Sequence, residues 1–259
     1  MPWLPSNGFS DCPFGALIER LVSDQKIAVI GGTGDLGFGL VLRWARAGVP
    51  VVIGSRDAKK AQDAAERANG LLDSGMLPGI ETSAIEGMEN AKAAAEAGVI
   101  VLAVPFPGQA AILKSIRDAL RNAAEGPGNN PIFVDATVPL AATVGGKPTR
   151  LLGVWQGSAA EAAREMVPAK IPVLGAFHNL SAEALQDLDA ALDCDILVCG
   201  DDEAAKQKLF PLIQLIEGLR PVDAGPLEMA RITEAVTALL ISVNRRHQVK
   251  HSGIRITGI

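Results

Sequence analysis

The chain has no tyrosine, which excludes the Tyr-Lys proton relay of short-chain carbonyl reductases. Histidine is scarce as well. Of the three, only His178 falls inside the folded pattern, while His247 and His251 stand near the basic C-terminal end. The cysteines, Cys12, Cys194 and Cys199, are odd in number and scattered, so they suggest neither a disulfide framework nor a metal-ligand cluster. They read as buried or free thiols of a reducing compartment, and the expected location is cytoplasmic. With no His/Cys cluster, no metal is expected. Positive charge is not in excess: a formal net charge of −5 leaves no basic footprint for nucleic acid. Long apolar runs are missing too. None approaches the roughly 20 residues that span a bilayer, and Met1-Pro-Trp-Leu-Pro-Ser6 lacks the basic and apolar regions of a signal peptide.

The 259 residues, 48% of them hydrophobic, can bury a full core, and the length suits one large α/β domain or a nucleotide domain with a smaller partner. The organising stretch is Lys26-Ile-Ala-Val-Ile-Gly-Gly-Thr-Gly-Asp-Leu-Gly37. A short apolar strand passes straight into Gly32-x-Gly34-x-x-Gly37, the dinucleotide fingerprint: Gly32 for the tight turn, Gly34 for close approach of a pyrophosphate, Gly37 for close helix packing. Asp35 and Leu36 open the helix whose N-terminus would receive the diphosphate. The competing reading is a glycine-rich surface turn of an unrelated fold, and the strand before and helix after argue against it.

Period and punctuation predict the rest. Strand 27–30 leads to helix 35–47, with Leu36, Leu40 and Val41 inward and Arg43 and Arg46 outward. Next come strand 50–54, helix 58–69, a loop with Gly75, Pro78 and Gly79, a weak strand 80–85 and helix 89–97. Strand 99–104 stops at Pro105-Phe-Pro107, and helix 108–124 and strand 132–136 follow. Residues 141–148, with Gly145-Gly146, suggest a crossover or lid. Beyond them the pattern gives helix 158–166, strand 173–177, helix 182–192, strand 196–199, helix 203–217, strand 220–222 and a mostly apolar helix 227–246. The expected fold is therefore α/β, a Rossmann-type doubly wound parallel sheet with a smaller C-terminal α/β part. Its divisions are an N-terminal arm over 1–25, a dinucleotide-binding domain over 26–145 and a substrate or oligomerisation part over 146–259. The arm packs outside the fold. Val236, Leu239, Leu240 and Val243 of the last helix line a cleft or a subunit interface, or simply pack in the core, and a homo-oligomer is expected.

The second strand decides which dinucleotide. An NAD site carries an acid about 20 residues past the glycines. Here the place reads Gly54-Ser-Arg-Asp-Ala-Lys-Lys60, with no carboxylate at the strand end and Asp57 starting the helix. Ser55, Arg56 and a lysine suit a 2′-phosphate, which needs charge-assisted donors, so the cofactor is expected to be NADP(H). A merely solvated basic helix start is the alternative, and it opposes the helix dipole.

Gly31-Gly-Thr-Gly-Asp-Leu-Gly37, Gly54-Ser-Arg56, Val104-Pro105, Asp135-Ala-Thr-Val-Pro-Leu140, Gly157-Ser-Ala-Ala-Glu161, Ala176-Phe-His-Asn179, Val198-Cys-Gly-Asp-Asp202 and Gly218-Leu-Arg-Pro-Val-Asp-Ala-Gly-Pro-Leu227 occur in this order. Taken together, they resemble the NADPH-dependent F420 reductases from about Lys26 to about Arg246. The resemblance implies hydride transfer between nicotinamide C4 and the 5-deazaflavin of coenzyme F420, the rings stacked in a cleft between the nucleotide domain and the C-terminal part. It implies Thr33, Ser55, Arg56 and Lys60 on the 2′-phosphate, and Ala103, Val104, Pro105, Val138 and Pro139 beside the cofactor. It also implies Phe106, His178, Asn179, Leu180 and Ser181 beside the second substrate. The chain departs from the pattern in its arm, in Phe106 where a tryptophan is common, and in the tail after Val249. The same nucleotide domain also occurs in NADPH-dependent metalloreductases.

Transfer between two stacked rings asks for positioning more than for an acid or base. His178 either polarises a ring carbonyl as the catalytic residue or anchors a loop. Asp135 reads as a strand-end acid, and the Asp201-Asp202 pair as a helix N-cap. Other functions remain open: reduction of another flavin or of a small carbonyl or imine with His178 as proton donor, or silent NADP(H) sensing.

Overall fold

Four- and five-residue runs of aliphatic side chains make the centre of the protein, and they are apolar on both faces because helices cover both. A computed structural model describes residues 25–74, 84–126 and 131–259. β1 (Ile27–Ile30), β2 (Val51–Ser55), β3 (Glu86–Glu89), β4 (Val99–Leu102), β5 (Ile132–Asp135), β6 (Val173–Gly175), β7 (Cys194–Gly200) and β8 (Leu219–Asp223) form one sheet in the order β3-β2-β1-β4-β5-β6-β7-β8. Every pairing is parallel except β6 with β7. Strand order reverses between β1 and β4, the switch point at whose carboxyl ends such sheets bind ligands.

Side chains alternate along each strand. Ile27, Val29, Ile53, Val101 and Val134 pack against α1 (Asp35–Arg46) and α2 (Ala58–Ser74). Ala28, Ile30, Val52, Ile100, Leu102 and Phe133 pack against α3 (Asn90–Glu96), α4 (Phe106–Glu125) and α5 (Ala159–Met166). The short α6 (Ala182–Gln186), α7 (Glu203–Gln214) and the long α8 (Ala230–His247) complete the layers. Asp202 caps α7 by accepting from the Ala205 amide, and Ser158 caps α5 by accepting from that of Glu161. Cys194 and Cys199 are buried free thiols. No helix among the described residues is long and apolar enough to cross a membrane.

Three expectations need correcting, each for a local reason. The third described strand lies at Glu86–Glu89, past the expected 80–85, of which only 84 and 85 are described. Both side-chain amide atoms of Asn69 bind the backbone N–H and C=O of Ile85, at 3.0 Å each, which holds that residue off the sheet. Arg43 does not face outward. It is 8% exposed, and its guanidinium donates to the carbonyls of Leu185, Ala184, Asp187 and Ala190 at 2.5–3.0 Å. Those same bonds explain the third correction, because helix 182–192 shrinks to α6 when its last carbonyls are taken by Arg43. The N-terminal arm with Cys12, Gly75, Pro78 and Gly79 lies outside the described residues, as does most of 80–85.

Candidate active site

The turn after β1 is shaped by glycine, though the left-handed residue is one earlier than expected. Gly31 has φ +88°, and a Cβ there would lie 2.5 Å from the Ala103 carbonyl oxygen and 2.6 Å from Val104 Cγ1. A Cβ on Gly37 would lie 2.5 Å from the Gly31 oxygen, so this position does carry the close packing of helix on turn. Gly32 is buried beneath the turn, its amide donating back to the Val29 carbonyl. Gly34 is the N-cap of α1, and no side chain caps that helix. The first amides of a helix have no partner within it, so the exposed Thr33, Gly34 and Asp35 and the half-buried Leu36 surround a ready anion site.

At the end of β2, Ser55 Oγ accepts from the Asp57 amide at 3.3 Å, and Asp57 Oδ1 accepts from the amides of Lys59 and Lys60 at 2.9 and 3.3 Å. Asp57 therefore works as the cap of α2 and not as a ribose ligand. Lys59 is paired with Asp63 at 2.7 Å. The exposed side chains of Arg56 and Lys60 have no protein partner among the described residues. β4 ends at Leu102 and is followed by the buried Ala103, the half-buried Val104 and Pro105, which is the N-cap of α4 ahead of the half-buried Phe106. β5 ends in Asp135 and leads through Thr137 and Val138 to the buried Pro139, whose carbonyl accepts from the Leu152 amide at 2.7 Å and so starts a hairpin.

The 178–186 stretch is fastened to α1. Gln186 Nε2 donates to the Asp35 carbonyl at 2.9 Å, and a Cβ on Gly39 would sit 2.5 Å from Leu185 Cβ. Trp44 meets Phe177 edge-on at 5.6 Å, and Phe177 itself holds a φ of +68°, a costly conformation for a bulky side chain. This bend leads into the candidate substrate residues His178, Asn179, Leu180 and Ser181, which run on into the α6 segment fastened to α1.

Beneath it lies a buried polar cluster that the sequence did not disclose. Asp135 is fully buried, accepts from Gln109 Nε2 at 2.6 Å and from the Thr137 amide at 2.7 Å, and burial pushes its pKa up to about 6. Glu234, 1% exposed, accepts from the Ala159 and Ala160 amides at 3.0 Å each, and burial pushes it up to about 8 despite those bonds. His178 is 4% exposed and burial pushes it down to about 4, so the ring is neutral at pH 7. Its Nδ1 lies 3.4 Å from Thr233 Oγ1, and its carbonyl accepts from Thr237 Oγ1 at 2.6 Å. His178 Nε2 and Thr137 Oγ1 are buried without a hydrogen-bond partner. The ring is thus held inside as a neutral group and not displayed as a charged acid.

The family described as NADP oxidoreductase, coenzyme F420-dependent, matches residues 26–124. An F420-dependent NADP reductase of Methanothermobacter thermautotrophicus is 45% identical over 236 residues, covering 91% of this chain and 96% of that protein. The chain belongs to the F420-dependent NADP reductase family. A second member, from Methanocaldococcus jannaschii, is 43% identical over 235 residues, 91% of this chain and 99% of its own. The same fold is seen in a solved structure from Arthrobacter sp. FB24, described as a putative F420-dependent NADP reductase. It superposes with a TM-score of 0.72 at 24% identity over 90% of this chain and 100% of that one. Gly31–Gly37, Ser55 and Arg56 all lie within the family match, whereas the 178–181 stretch and Glu234 lie beyond it.

Proposed function

We propose that this protein transfers hydride between NADP(H) and the deazaflavin coenzyme F420. The observation that carries this reading is an uncapped glycine turn with two free cations beside it, Arg56 and Lys60, in a chain of this family. When both ligands are bound, a hydride passes directly between nicotinamide C4 and deazaflavin C5. The chain's own work is to bind, orient and exclude water. The amides at the start of α1 hold the diphosphate with help from the helix dipole. Thr33, Ser55, Arg56 and Lys60 hold the 2′-phosphate, and Ala103, Val104, Pro105, Val138 and Pro139 border the nicotinamide. Phe106 and residues 178–181 border the deazaflavin.

Burial keeps His178 neutral at pH 7, and a hydrogen bond with the Asp135 backbone opposes that shift only in part. The neutral His178 acts by hydrogen bonding, not as a charged donor, so positioning supplies most of the rate.

We also propose a cytoplasmic homodimer without nucleic-acid or membrane partners. Ile232 and Leu239 of α8 are 60% and 57% exposed, with Val236 and Val243 half-buried on the same helix, an apolar stripe that a second copy would cover. Leu240 instead packs inward. Sedimentation as a stable monomer at micromolar concentration would contradict the dimer.

The function is tested by absorbance assays of purified protein with NADPH and a panel of acceptors. F420 is expected to be reduced and ordinary flavins, a quinone and a cyclic imine left largely untouched. Fast reduction of any of these beside inert F420 overturns the assignment while sparing the NADPH site.

A further inference from the structure

The C-terminal tail is the part of the chain that the family motifs leave without a role, and it is also where the densest charged network lies. At its centre is Asp195 of β7, whose side chain is fully buried. Its Oδ1 accepts from Arg220 Nε and an Arg255 guanidinium nitrogen, both at 2.8 Å. Its Oδ2 accepts from a second Arg220 nitrogen and from the Ile256 amide, both at 2.7 Å. Four charge-assisted or backbone donors on one carboxylate make a rigid fork, and Arg220 above all holds the group well below the usual carboxylate range. The backbone of Asp195 is engaged as well: its amide donates to the Ile254 carbonyl at 2.7 Å. Arg220 continues outward to the carbonyls of Ile256 and Ile259 at 2.6 and 3.2 Å.

The same hub reaches the substrate stretch. Asn179 Nδ2 donates to the Asp195 carbonyl at 2.7 Å, in a buried bond. A second link leaves the tail nearer its start, where Ser181 Oγ and His251 Nδ1 are hydrogen-bonded at 2.8 Å. Lys250 pairs with Glu183 at 3.0 Å, an exposed contact that adds little by itself. The beginning of the tail is fixed in turn by Asn244 of α8, which donates to the Lys250 carbonyl at 3.1 Å and accepts from the Ser252 amide at 3.0 Å. Gly253 passes so close to the sheet edge that a Cβ there would lie 2.5 Å from Cys194 Cβ. Residues 178–186 are therefore held from three sides, by α1 through Gln186 and Leu185, by β7 through Asn179 and by the tail through Ser181.

The geometry points to residues 249–259 as a brace that positions the 178–181 stretch for the deazaflavin, with His251 and Asp195 as positioning residues. This rests on the reading of that stretch as the F420 side of the site. The alternative, that the tail only staples β7 to β8, accounts for Arg220, Arg255 and Ile256. It leaves the Ser181 link, which leads away from those two strands, without purpose.

The test uses the full-length protein with His251→Ala, His251→Asn and a version ending at Val249. One lost hydrogen bond to an ordering residue corresponds to about a 3- to 10-fold effect. His251→Ala is expected to raise KM for F420 by that factor with kcat, NADPH affinity and melting temperature nearly unchanged. His251→Asn, which keeps a hydrogen-bonding group, is expected to recover most of it, and the shortened chain to show the larger loss. Amide hydrogen exchange in the NADPH-bound protein gives a readout independent of F420: His251→Ala speeds exchange in 179–186 but not in 31–38. Unchanged F420 KM and unchanged exchange in His251→Ala overturn the brace. So does an equal loss of NADPH affinity or melting temperature, which would make the tail a general staple. Should the shortened chain fail to fold, His251→Ala decides alone. If the wild type leaves F420 unreduced, the functional reading fails, and the exchange data still decide whether the tail holds the loop.

Discussion

Arg56 and His178 stand at carboxyl ends of strands in one sheet and live under opposite conditions. Around Arg56 the side chains of Arg56 and Lys60 face water and have no partner among the described residues, while Ser55 and Asp57 bind the start of α2 and Lys59 pairs with Asp63. Around His178 everything is buried. Asp135 accepts from Gln109, Gln109 and Glu234 bind the backbone at the start of α5, and Thr233 faces the His178 ring, with two polar atoms left over. The first region recognises charge by keeping donors free, at little cost in water. The second fixes a shape by satisfying nearly all of its donors away from water, where each missing bond is expensive. The two regions therefore separate by assay: changes in the first alter affinity without stability, and changes in the second do the reverse unless they touch the unpaired atoms.

The largest expected effect comes from the piece that both regions share, the turn against α1. Gly37→Ala places a methyl group 2.5 Å from a backbone oxygen and 3.0 Å from two further backbone atoms, none of which can rotate away. NADPH affinity is expected to fall by more than about 100-fold, the loss of more than about 2.7 kcal/mol of diphosphate contacts. Titration calorimetry showing near-normal affinity would mean that helix and turn can separate freely. Arg56→Ala comes next. It removes one charge-assisted bond worth about 1.5–3 kcal/mol, so NADPH should weaken by about 10- to 100-fold while NADH scarcely changes. Its melting temperature should stay at the wild-type value, and a drop in stability would blur the distinction between the regions.

The smallest effect is a pH slope in the buried region. Glu234 has its folded pKa raised from 4.5 to about 8 by burial, so its proton is lost more readily from the unfolded chain. Stability associated with this group is greatest below its unfolded value and declines as pH rises through about 8. Glu234→Gln stays neutral and loses one of the two backbone bonds, so it should melt below the wild type at pH 5 and approach it by pH 9. Parallel melting curves across that range would show that Glu234 is charged throughout, and NADPH affinity should be unaffected at either end.

How much of this could be read in the chain follows the same division. The β1 turn, Ser55, Arg56 and the strand ends 103–105 are short runs whose place in the fold depends on their neighbours in sequence, so glycine spacing and strand period were enough to locate them. Gly31 escaped notice as the left-handed position because either of two adjacent glycines, Gly31 and Gly32, satisfied the pattern. Arg43 was misplaced because helical period assigns an arginine to solvent, while the carbonyls of 184–190 that bury it lie more than 140 positions away. Glu234 and Gln109 were missed for the same reason: their partners are 74 and 26 positions distant for Ala160 and Asp135. A signal did exist for Glu234, a lone acid among Ile232, Ala235 and Val236 on an apolar helix. His178 was singled out as the one histidine inside the fold, but its burial and neutrality depend on α8 closing over it.

The central claim is direct hydride transfer between rings that the protein only positions, and isotope transfer tests it most directly. NADPH deuterated on a single face of nicotinamide C4 is oxidised in ordinary water with F420 as acceptor, using each C4 epimer in turn. The account predicts that one epimer delivers its deuterium to C5 of the deazaflavin on one face only and that the other retains it on NADP⁺. Solvent hydrogen at C5, or deuterium transfer from both epimers alike, would contradict it.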